Sequence, residues 1–527
     1  MTDAIVDLEL ANTKEEIPIE TGEQAFRATD EQHSLSAWQG LRLHVKAIGW
    51  AAYFSLGIIM VAFDPQLIGQ LIATPKFQQD FGNVYEDGYI IAAPWQTGLN
   101  MGAPIGQVVG AFFAGSFMEW IGLKKAFAAC NLLIIGCVFI QFFARSLPVL
   151  LVGEILAGLV LGCFVVIAPA YASEVAPLAL RGPITASINL CFAAGQLIAN
   201  GTVDGTQKLT THWAYSIPFS IQWLWPIIII VGYPFAPESP WWLQRQGRLK
   251  EAEHALGRLS SSTVDIRAAL VAIIETDRAE REMQINSSYL DCFRGTNLRR
   301  TIISIAVMSI QVFSGIYLAS YSTYFFEVAG LPTDQAFNMG VGFIALGFFA
   351  TVLSWFFLSY VGRRTLYNVG LAALTTVQFL IGALDCAPNY LNRPGIAWAE
   401  SVLMMIWYFI YSLSIGPIGY VILCEVSAVR VRAKTIAISL AVEALATILM
   451  TVVFPYMINP DEANMRGKVG FFFGGLSLLS LVWSWTSLPE LRGRTYYELD
   501  ILFDQKIKIK DFPKTVISDR KDVKEAS

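Results

Sequence analysis

Two acidic residues, Asp64 and Glu154, stand inside long apolar stretches of this sequence, and a third, Glu443, does so in the second half. An ionised carboxylate is costly where water is excluded, so each acid is a candidate functional residue. If the stretches around Asp64 and Glu154 are helices running in opposite directions, both carboxyl groups lie about 10–12 Å below one surface. We predict that they share a proton and form a proton-coupling site. The alternative is that one acid is permanently protonated and only hydrogen-bonded.

The elements that must hold these acids are membrane-spanning helices. The chain is 54% apolar and only 15% charged, whereas soluble proteins carry about 25% charged residues. Apolar stretches of about 20 residues are long enough to cross a hydrocarbon core. We predict an all-α integral membrane protein with twelve transmembrane helices, at residues 46–72, 91–114, 126–144, 147–170, 184–203, 216–235, 301–326, 337–358, 366–386, 398–424, 433–456 and 469–488.

Charged residues collect at both ends of the chain and in one central block, which divides the spans into two bundles of six. The lysines and arginines of the central block favour the cytoplasmic side, which puts both termini there too. The predicted organisation is a disordered cytoplasmic tail at 1–43, a first bundle at 44–235, a linker with short helices at 236–300, a second bundle at 301–488 and a cytoplasmic tail at 489–527.

The two halves of the chain repeat each other. YASEVAPLALRG at 171–182 matches CEVSAVRVRA at 424–433, with its glutamates 251 residues apart. The dipeptide Pro-Glu at 237–238 recurs at 489–490, an offset of 252, and GSFMEWIGLKK at 115–125 matches LSYVGRR at 358–364. Parallel repeats of this kind are typical of carriers that hold their substrate between two bundles near the membrane midplane.

These motifs carry a family resemblance over about residues 45–505. GSFMEWIGLKK resembles the loop signature between spans 2 and 3 of the major facilitator superfamily, and YASEVAPLALRG and PESPWWL resemble the sugar porter signatures. FDPQLIGQLIATPKFQQDFG, NLCFAAGQLI and YSTYFFEVAG are similar to fungal α-glucoside (maltose-type) proton symporters. Span 11 departs from those permeases, since it reads IAISLAVEALATI where they carry polar Asn and Tyr residues.

The resemblance implies secondary active transport of a sugar with a proton, by alternating access. It places Asp64 at the acid that many sugar porters pair with an arginine, a position that Glu154 occupies here, as in the α-glucoside permeases. Amides, hydroxyls and aromatic rings are what sugars require, and the resemblance implies that the following residues bind substrate: Asn189, Gln196, Gln311, Tyr317, Tyr321 and Tyr420. Glu443 could bind a cationic or hydroxyl-rich substrate or form a second proton site.

Charged motifs at the inner ends of the spans have another predicted role. The resemblance implies that they form cytoplasmic salt-bridge networks, which close the inner side in the outward-facing state. The alternative is that they only anchor helix ends at the membrane surface. The residues of this predicted cytoplasmic gate are Glu119, Lys124, Lys125, Glu174, Arg181, Glu238, Arg363, Arg364, Glu425, Arg432 and Glu490.

Other function classes have less support in the sequence. A carrier of another solute, such as a fungal secondary metabolite, is the nearest rival, and a sugar sensor that does not transport is a second. No enzyme signature, cofactor motif, metal-spaced histidine cluster or basic patch for nucleic acid is visible. The expected partners are a sugar, a proton and the lipid bilayer, for a monomer in the plasma membrane. Gly416-Pro417 is expected to interrupt span 10, and Asn200 matches a glycosylation acceptor expected to lie too near the membrane for use.

Overall fold

The protein is described here as a computed structural model. It describes residues 45–85, 88–175, 178–260, 266–285, 288–388, 393–428, 431–492, 496–512 and 515. The predicted tail at 1–43 lies outside the described residues, as does most of the chain beyond 512.

The first half contains six spans. Span 6 is two consecutive helices, Trp213–Ile221 and Leu224–Gly232, whereas the other spans are continuous. These are span 1 at Val45–Leu71, span 2 at Ala93–Ile121, span 3 at Leu123–Phe142, span 4 at Leu147–Val175 and span 5 at Leu178–Thr206.

The second half repeats this order. Span 7 is broken into Gly295–Phe313, Tyr317–Ser320 and Ser322–Val328, and span 10 into Pro394–Leu413 and Ile415–Val426. The continuous spans are span 8 at Thr333–Tyr360, span 9 at Arg363–Asp385, span 11 at Arg432–Ile458 and span 12 at Val469–Ser487.

Eleven of these spans are long and apolar enough to cross a membrane, counted over the described residues. Span 5 is the twelfth span, and its helix is 29 residues long, the same length as span 4. The predicted fold of twelve helices in two bundles of six is therefore confirmed.

The two ends of the bundle carry different connections. Between spans 1 and 2 lie the helix Pro75–Phe81 and an antiparallel hairpin of β1 (Asn83–Tyr85) and β2 (Gly88–Ile90), with Asn83 opposite Ile90. We call this end the hairpin face. The opposite end, the linker face, carries the helices between spans 6 and 7: Pro240–Arg245, Leu249–Leu259, Ile266–Ile285 and the 3₁₀ turn Tyr289–Phe293. A further helix, Tyr496–Asp504, follows span 12.

Spans 2 and 4 pack backbone against backbone. A Cβ at Gly106 would lie 2.3 Å from the Ile155 carbonyl oxygen, and one at Gly110 would lie 1.9 Å from the Leu159 carbonyl oxygen. Small residues allow helices in a membrane to approach this closely. Van der Waals contact then stabilises the helix packing, because the hydrophobic effect does not drive helices together inside a lipid bilayer. This contact fixes the position of span 4, which carries Glu154.

The break in span 10 lies at Ser414, two residues before the predicted Gly416-Pro417. A proline ring clashes with the carbonyl of the residue four positions earlier, which is Leu413 here, so the helix must end before the proline itself. Span 7 breaks at Gly315, whose φ of +96° suits glycine. There the Gln378 amide donates to the freed Ser314 carbonyl at 2.6 Å.

Side-chain hydrogen bonds join the two halves at the hairpin face. Gln96 Nε2 donates to Asn459 Oδ1 at 2.7 Å, and Asn200 Nδ2 donates to the Gly340 carbonyl at 3.0 Å. Gln70 Nε2 reaches the Ser320 carbonyl at 3.5 Å. These side-chain hydrogen bonds between the two halves lie toward this face and hold the halves together there. We call these three contacts the latch.

The close contact of spans 2 and 4 predicts the effect of adding one methyl group. Gly110→Ala should lower the free energy of unfolding by about 1–3 kcal/mol or more, because the helices must separate. The control is Gly115→Ala on the same helix, where a Cβ meets nothing within 4 Å. Thermal unfolding of the purified protein in detergent measures both. Equal unfolding midpoints for the two variants would contradict this packing.

Candidate functional site

Asp64 and Glu154 meet at one amide. Gln141 Nε2, near the end of span 3, donates to Asp64 Oδ1 at 3.0 Å and to Glu154 Oε1 at 2.8 Å. Gln222, between the two helices of span 6, donates to Asp64 Oδ1 at 2.9 Å. Both acids are fully buried. Four spans of the first half thus converge on one carboxyl pair, which we call the acid pair.

Local packing explains why these side chains meet. A Cβ at Gly153 would lie 3.0 Å from Gln141 Cγ, and one at Gly102 would lie 2.8 Å from Glu154 Cβ. The absence of side chains at these two positions therefore lets spans 2 and 3 approach span 4 at the depth of Glu154. The consequence is an amide placed between two carboxyl groups without access to water.

The acid pair leaves one oxygen of each carboxyl group free. Among the described residues, no N–H or O–H group donates to the buried oxygens Asp64 Oδ2 and Glu154 Oε2, and the two carboxyl groups are close enough to hydrogen-bond to each other when one of them carries a proton. A buried polar atom without a partner is costly. A proton bound at this place would give the free oxygens a hydrogen bond, so the arrangement suits reversible protonation.

Gln141 and Gln222 were not among the residues predicted from the sequence. Each is an amide within an apolar run, FIQFF and SIQWLW respectively. A buried amide in a membrane span needs a partner, and this signal could have identified both residues. Their target could not be read from the sequence, because it depends on how spans 1, 3, 4 and 6 pack.

A second polar cluster lies in the second half. The Tyr411 hydroxyl donates to Gln311 Oε1 at 3.2 Å, and Gln311 rests against Gly419. Glu443 of span 11 lies within electrostatic range of Tyr317, Tyr411 and Tyr420. The structure thus brings together four of the predicted substrate residues and adds Tyr411. We call this group the tyrosine cluster: Gln311, Tyr317, Tyr411, Tyr420 and Glu443.

Tyr420 keeps an open surface at the edge of this cluster. Its side chain is 44% exposed although Glu443 and Tyr411 lie beside it in the bundle. Glu443 itself is half-buried. Polar and aromatic groups beside an open surface can bind the hydroxyls and apolar faces of a sugar.

The remaining predicted substrate residues are placed differently. Tyr321 is fully buried, with its ring centre 5.1 Å from that of Phe454, so it offers no free surface to a ligand in this conformation. Gln196 is half-buried on span 5, beside Gly195, whose backbone packs on the Ile59 carbonyl. The side chain of Asn189 lies outside the described residues.

The repeated Pro-Glu motif of the sequence makes the same contact in each half at the linker face. Glu238 Oε1 accepts the backbone N–H of Lys124 at 3.0 Å, and Glu490 Oε1 accepts that of Arg363 at 2.8 Å. Each glutamate thus caps the first turn of the helix that begins span 3 or span 9, where a negative charge is favoured. Burial raises the pKa of Glu238, against the opposing effect of its backbone donors and nearby lysines.

Other members of the predicted cytoplasmic gate contact the linker or their own half. Glu174 pairs with Arg245 of the linker at 3.5 Å, and Glu425 pairs with Arg363 at 3.1 Å. Arg364 donates to the Trp485 carbonyl at 2.7 Å. The carbonyl of Glu119 accepts the Trp242 indole at 3.0 Å.

The last three residues of that predicted gate lie in different environments. Lys125 is exposed, Arg432 is half-buried, and the side chain of Arg181 lies outside the described residues. Asn200, the possible glycosylation acceptor, is only 2% exposed and belongs to the latch. In the described part of the chain, no three His, Cys, Asp or Glu residues form a group that could hold a metal ion.

The acid pair predicts an order of stability among amide variants. Gln141→Leu should lower the free energy of unfolding more than Gln222→Leu, because it leaves both acids without this donor, at about 1–3 kcal/mol for each buried unpaired group. Gln107→Leu is the control, since Gln107 Nε2 is buried without a described partner. Thermal unfolding in detergent gives the three values. A Gln141→Leu variant as stable as Gln107→Leu would contradict the bridging role.

Comparison with known proteins supports one family. The model of the sugar (and other) transporter family matches residues 50–503. A maltose permease of Saccharomyces cerevisiae is 34% identical over 519 residues, covering 96% of this chain and 84% of the permease. A general alpha-glucoside permease of the same yeast is 34% identical over 504 residues, covering 94% of this chain and 81% of the permease.

Solved structures show the same fold. The inward open conformation of the xylose transporter XylE from E. coli gives a TM-score of 0.69 at 19% identity, covering 86% of this chain and 99% of that one. A crystal structure of a D-xylose-proton symporter has a TM-score of 0.64 and 20% identity, and the match covers 86% of this chain and 100% of that chain. The chain has the fold of a major facilitator superfamily protein, and it belongs to the sugar (and other) transporter family.

Proposed function

We propose that this protein is a sugar–proton symporter of the α-glucoside class that works by alternating access. The observation that carries the proposal is the acid pair, a buried site for one proton in a member of a sugar transporter family. The yeast relatives are named as maltose and alpha-glucoside permeases, which supports a sugar with an α-glucosidic bond.

In this proposal Asp64 and Glu154 carry the proton. Gln141 holds the two carboxyl groups at a fixed separation, and Gln222 supports Asp64. Protonation removes a charge that is costly in the membrane interior. The protonated pair can then cross between the two orientations of the carrier at a lower energy than the ionised pair.

The sugar binds between the halves, at the tyrosine cluster. Gln311 and the three tyrosine hydroxyls offer hydrogen bonds to sugar hydroxyls, and the rings cover apolar ring faces. Glu443 accepts hydrogen bonds from hydroxyl groups, and Gln196 with Asn189 contributes from the first half. Tyr321 contributes only in a conformation other than the present one, in which it is buried.

We further propose that the linker face is cytoplasmic, with both termini on that side, in a monomer at the plasma membrane. Basic residues of the linker support this orientation. The latch then closes the outer side, so the present conformation faces inward. Bonds at the linker face such as that between Glu425 and Arg363, which lies within one half, can persist while the halves move.

A carrier of a non-sugar solute is the second candidate. Glu443 favours it, since this acid stands in span 11, whose sequence departs from that of the α-glucoside permeases. A carboxylate beside tyrosine rings also suits a cationic group. The transport experiment below separates the two candidates.

Uptake of labelled maltose and glucose by yeast that lacks its own sugar transporters tests the function. We expect uptake that a protonophore abolishes, because the proton gradient drives symport. Protonophore-resistant uptake would indicate a facilitator. No uptake with the protein at the cell surface would support the non-sugar carrier, or a sensor if the purified protein still binds sugar.

Removal of one acid should uncouple the two fluxes. Asp64→Asn should abolish sugar accumulation against a gradient while downhill exchange continues, because the proton site is lost but the sugar site remains. Glu462→Gln, the same type of change at an exposed position, is the control. Accumulation by Asp64→Asn that keeps its full sensitivity to the proton gradient would remove Asp64 from this role.

Glu443 should affect the substrate rather than the proton. Glu443→Gln should raise KM for the transported sugar roughly tenfold, as expected for a lost hydrogen bond to a charged group. The pH dependence of transport should stay unchanged. Uptake measured over substrate concentration at two pH values decides this, and a shifted pH profile with constant KM would instead make Glu443 a second proton site.

A further inference from the structure

A cavity of about 290 Å³ opens at the linker face, away from the acid pair and the tyrosine cluster. Its walls come from four elements: the start of span 3, the segment that follows span 6, the helix Pro240–Arg245 and the helix Leu249–Leu259. Apolar atoms of Ala236, Leu243 and Ala255 form part of its lining. The space is near the lower end of the volumes that bind small molecules.

Four basic side chains line this cavity: Lys124, Lys250, His254 and Arg258. Among the described residues, Lys124, Lys250 and Arg258 form no ion pair. Lys124 and Arg258 are close enough to repel each other. Lys124 Nζ instead lies 4.8 Å from the centre of the Tyr233 ring, and Arg258 donates to the Phe235 carbonyl.

The two acids of the cavity offset only part of this charge, since three permanent cations face two carboxylates. Glu238 attracts Lys124 and also accepts the backbone N–H groups of Lys124 and Ser239, at 3.0 and 3.1 Å. Glu251 is paired with Arg248, which lies outside the lining, at 2.6 Å. The lining therefore keeps an excess of positive charge, which an anion would neutralise.

We propose that this cavity binds the phosphate monoester of a small polyol. The phosphate would lie between Lys124, Lys250 and Arg258, since charge-assisted bonds to phosphate are among the strongest that such side chains make. The polyol hydroxyls would face His254 and Glu251. Two sources share this chemistry: the headgroup of a phosphorylated inositol lipid and a free sugar phosphate.

Such an occupant would connect the linker helix to the first turn of span 3. Lys250, His254 and Arg258 belong to the linker helix, whereas Lys124 begins span 3. The bound anion would therefore add a link that the protein alone does not make. This site is independent of the proposed transport function.

Calorimetric titration of the purified full-length protein in detergent tests the proposal. The probes are inositol 1,4,5-trisphosphate and glucose 6-phosphate, with glucose as the uncharged comparison. Binding to nanodiscs that contain phosphatidylinositol phosphate, compared with pure phosphatidylcholine, distinguishes the lipid source. We expect at least one phosphate probe to bind and glucose not to bind at this site.

Variants locate the binding. Lys250→Ala and Arg258→Ala should each weaken it about tenfold. Arg267→Ala removes the same charge from an 88% exposed side chain outside the cavity and should leave binding unchanged. Lys250 is exposed, so its variant keeps the test decisive if Arg258→Ala does not fold. The proposal would be overturned if neither phosphate probe bound, or if Lys250→Ala and Arg267→Ala bound the probe with equal affinity.

Discussion

The structure of the first half depends on one constraint: two carboxyl groups buried in the membrane interior must obtain hydrogen bonds from protein alone. Gln141 meets it by donating to both Asp64 and Glu154. This requires spans 1, 3 and 4 to converge within a few ångströms, which the glycines at 102 and 153 permit. The backbone contact of spans 2 and 4 then holds Glu154 in place. The acid pair thus determines the packing of most of its bundle.

The two halves share a fold but carry different chemistry. The first half holds the fully buried acid pair, whereas the second half holds the tyrosine cluster, in which Tyr420 keeps an open surface. The capping glutamates Glu238 and Glu490 remain equivalent in both. Duplication therefore preserved the contacts that begin spans 3 and 9, while the positions in the bundle interior diverged to different polar residues.

Much of this could be predicted from the sequence. The length of the apolar stretches predicted the transmembrane helices, and the repeated motifs predicted their division into two bundles of six. The buried acids were visible because charge is rare in membrane spans. Gln141, Gln222 and Tyr411 were not identified, since an amide or phenol is common and its partner depends on packing between distant spans. The break in span 10 was displaced to Ser414, because a proline disturbs the turn before it.

The latch joins the halves almost entirely through amides and backbone carbonyls, with Gln96, Asn200 and Asn459 buried. The ion pair between Lys208 and Asp334 that accompanies it is largely exposed and contributes little. Neutral hydrogen bonds neither titrate nor weaken with salt. Closure of this face should therefore be insensitive to the pH and ionic strength of the medium on that side of the membrane.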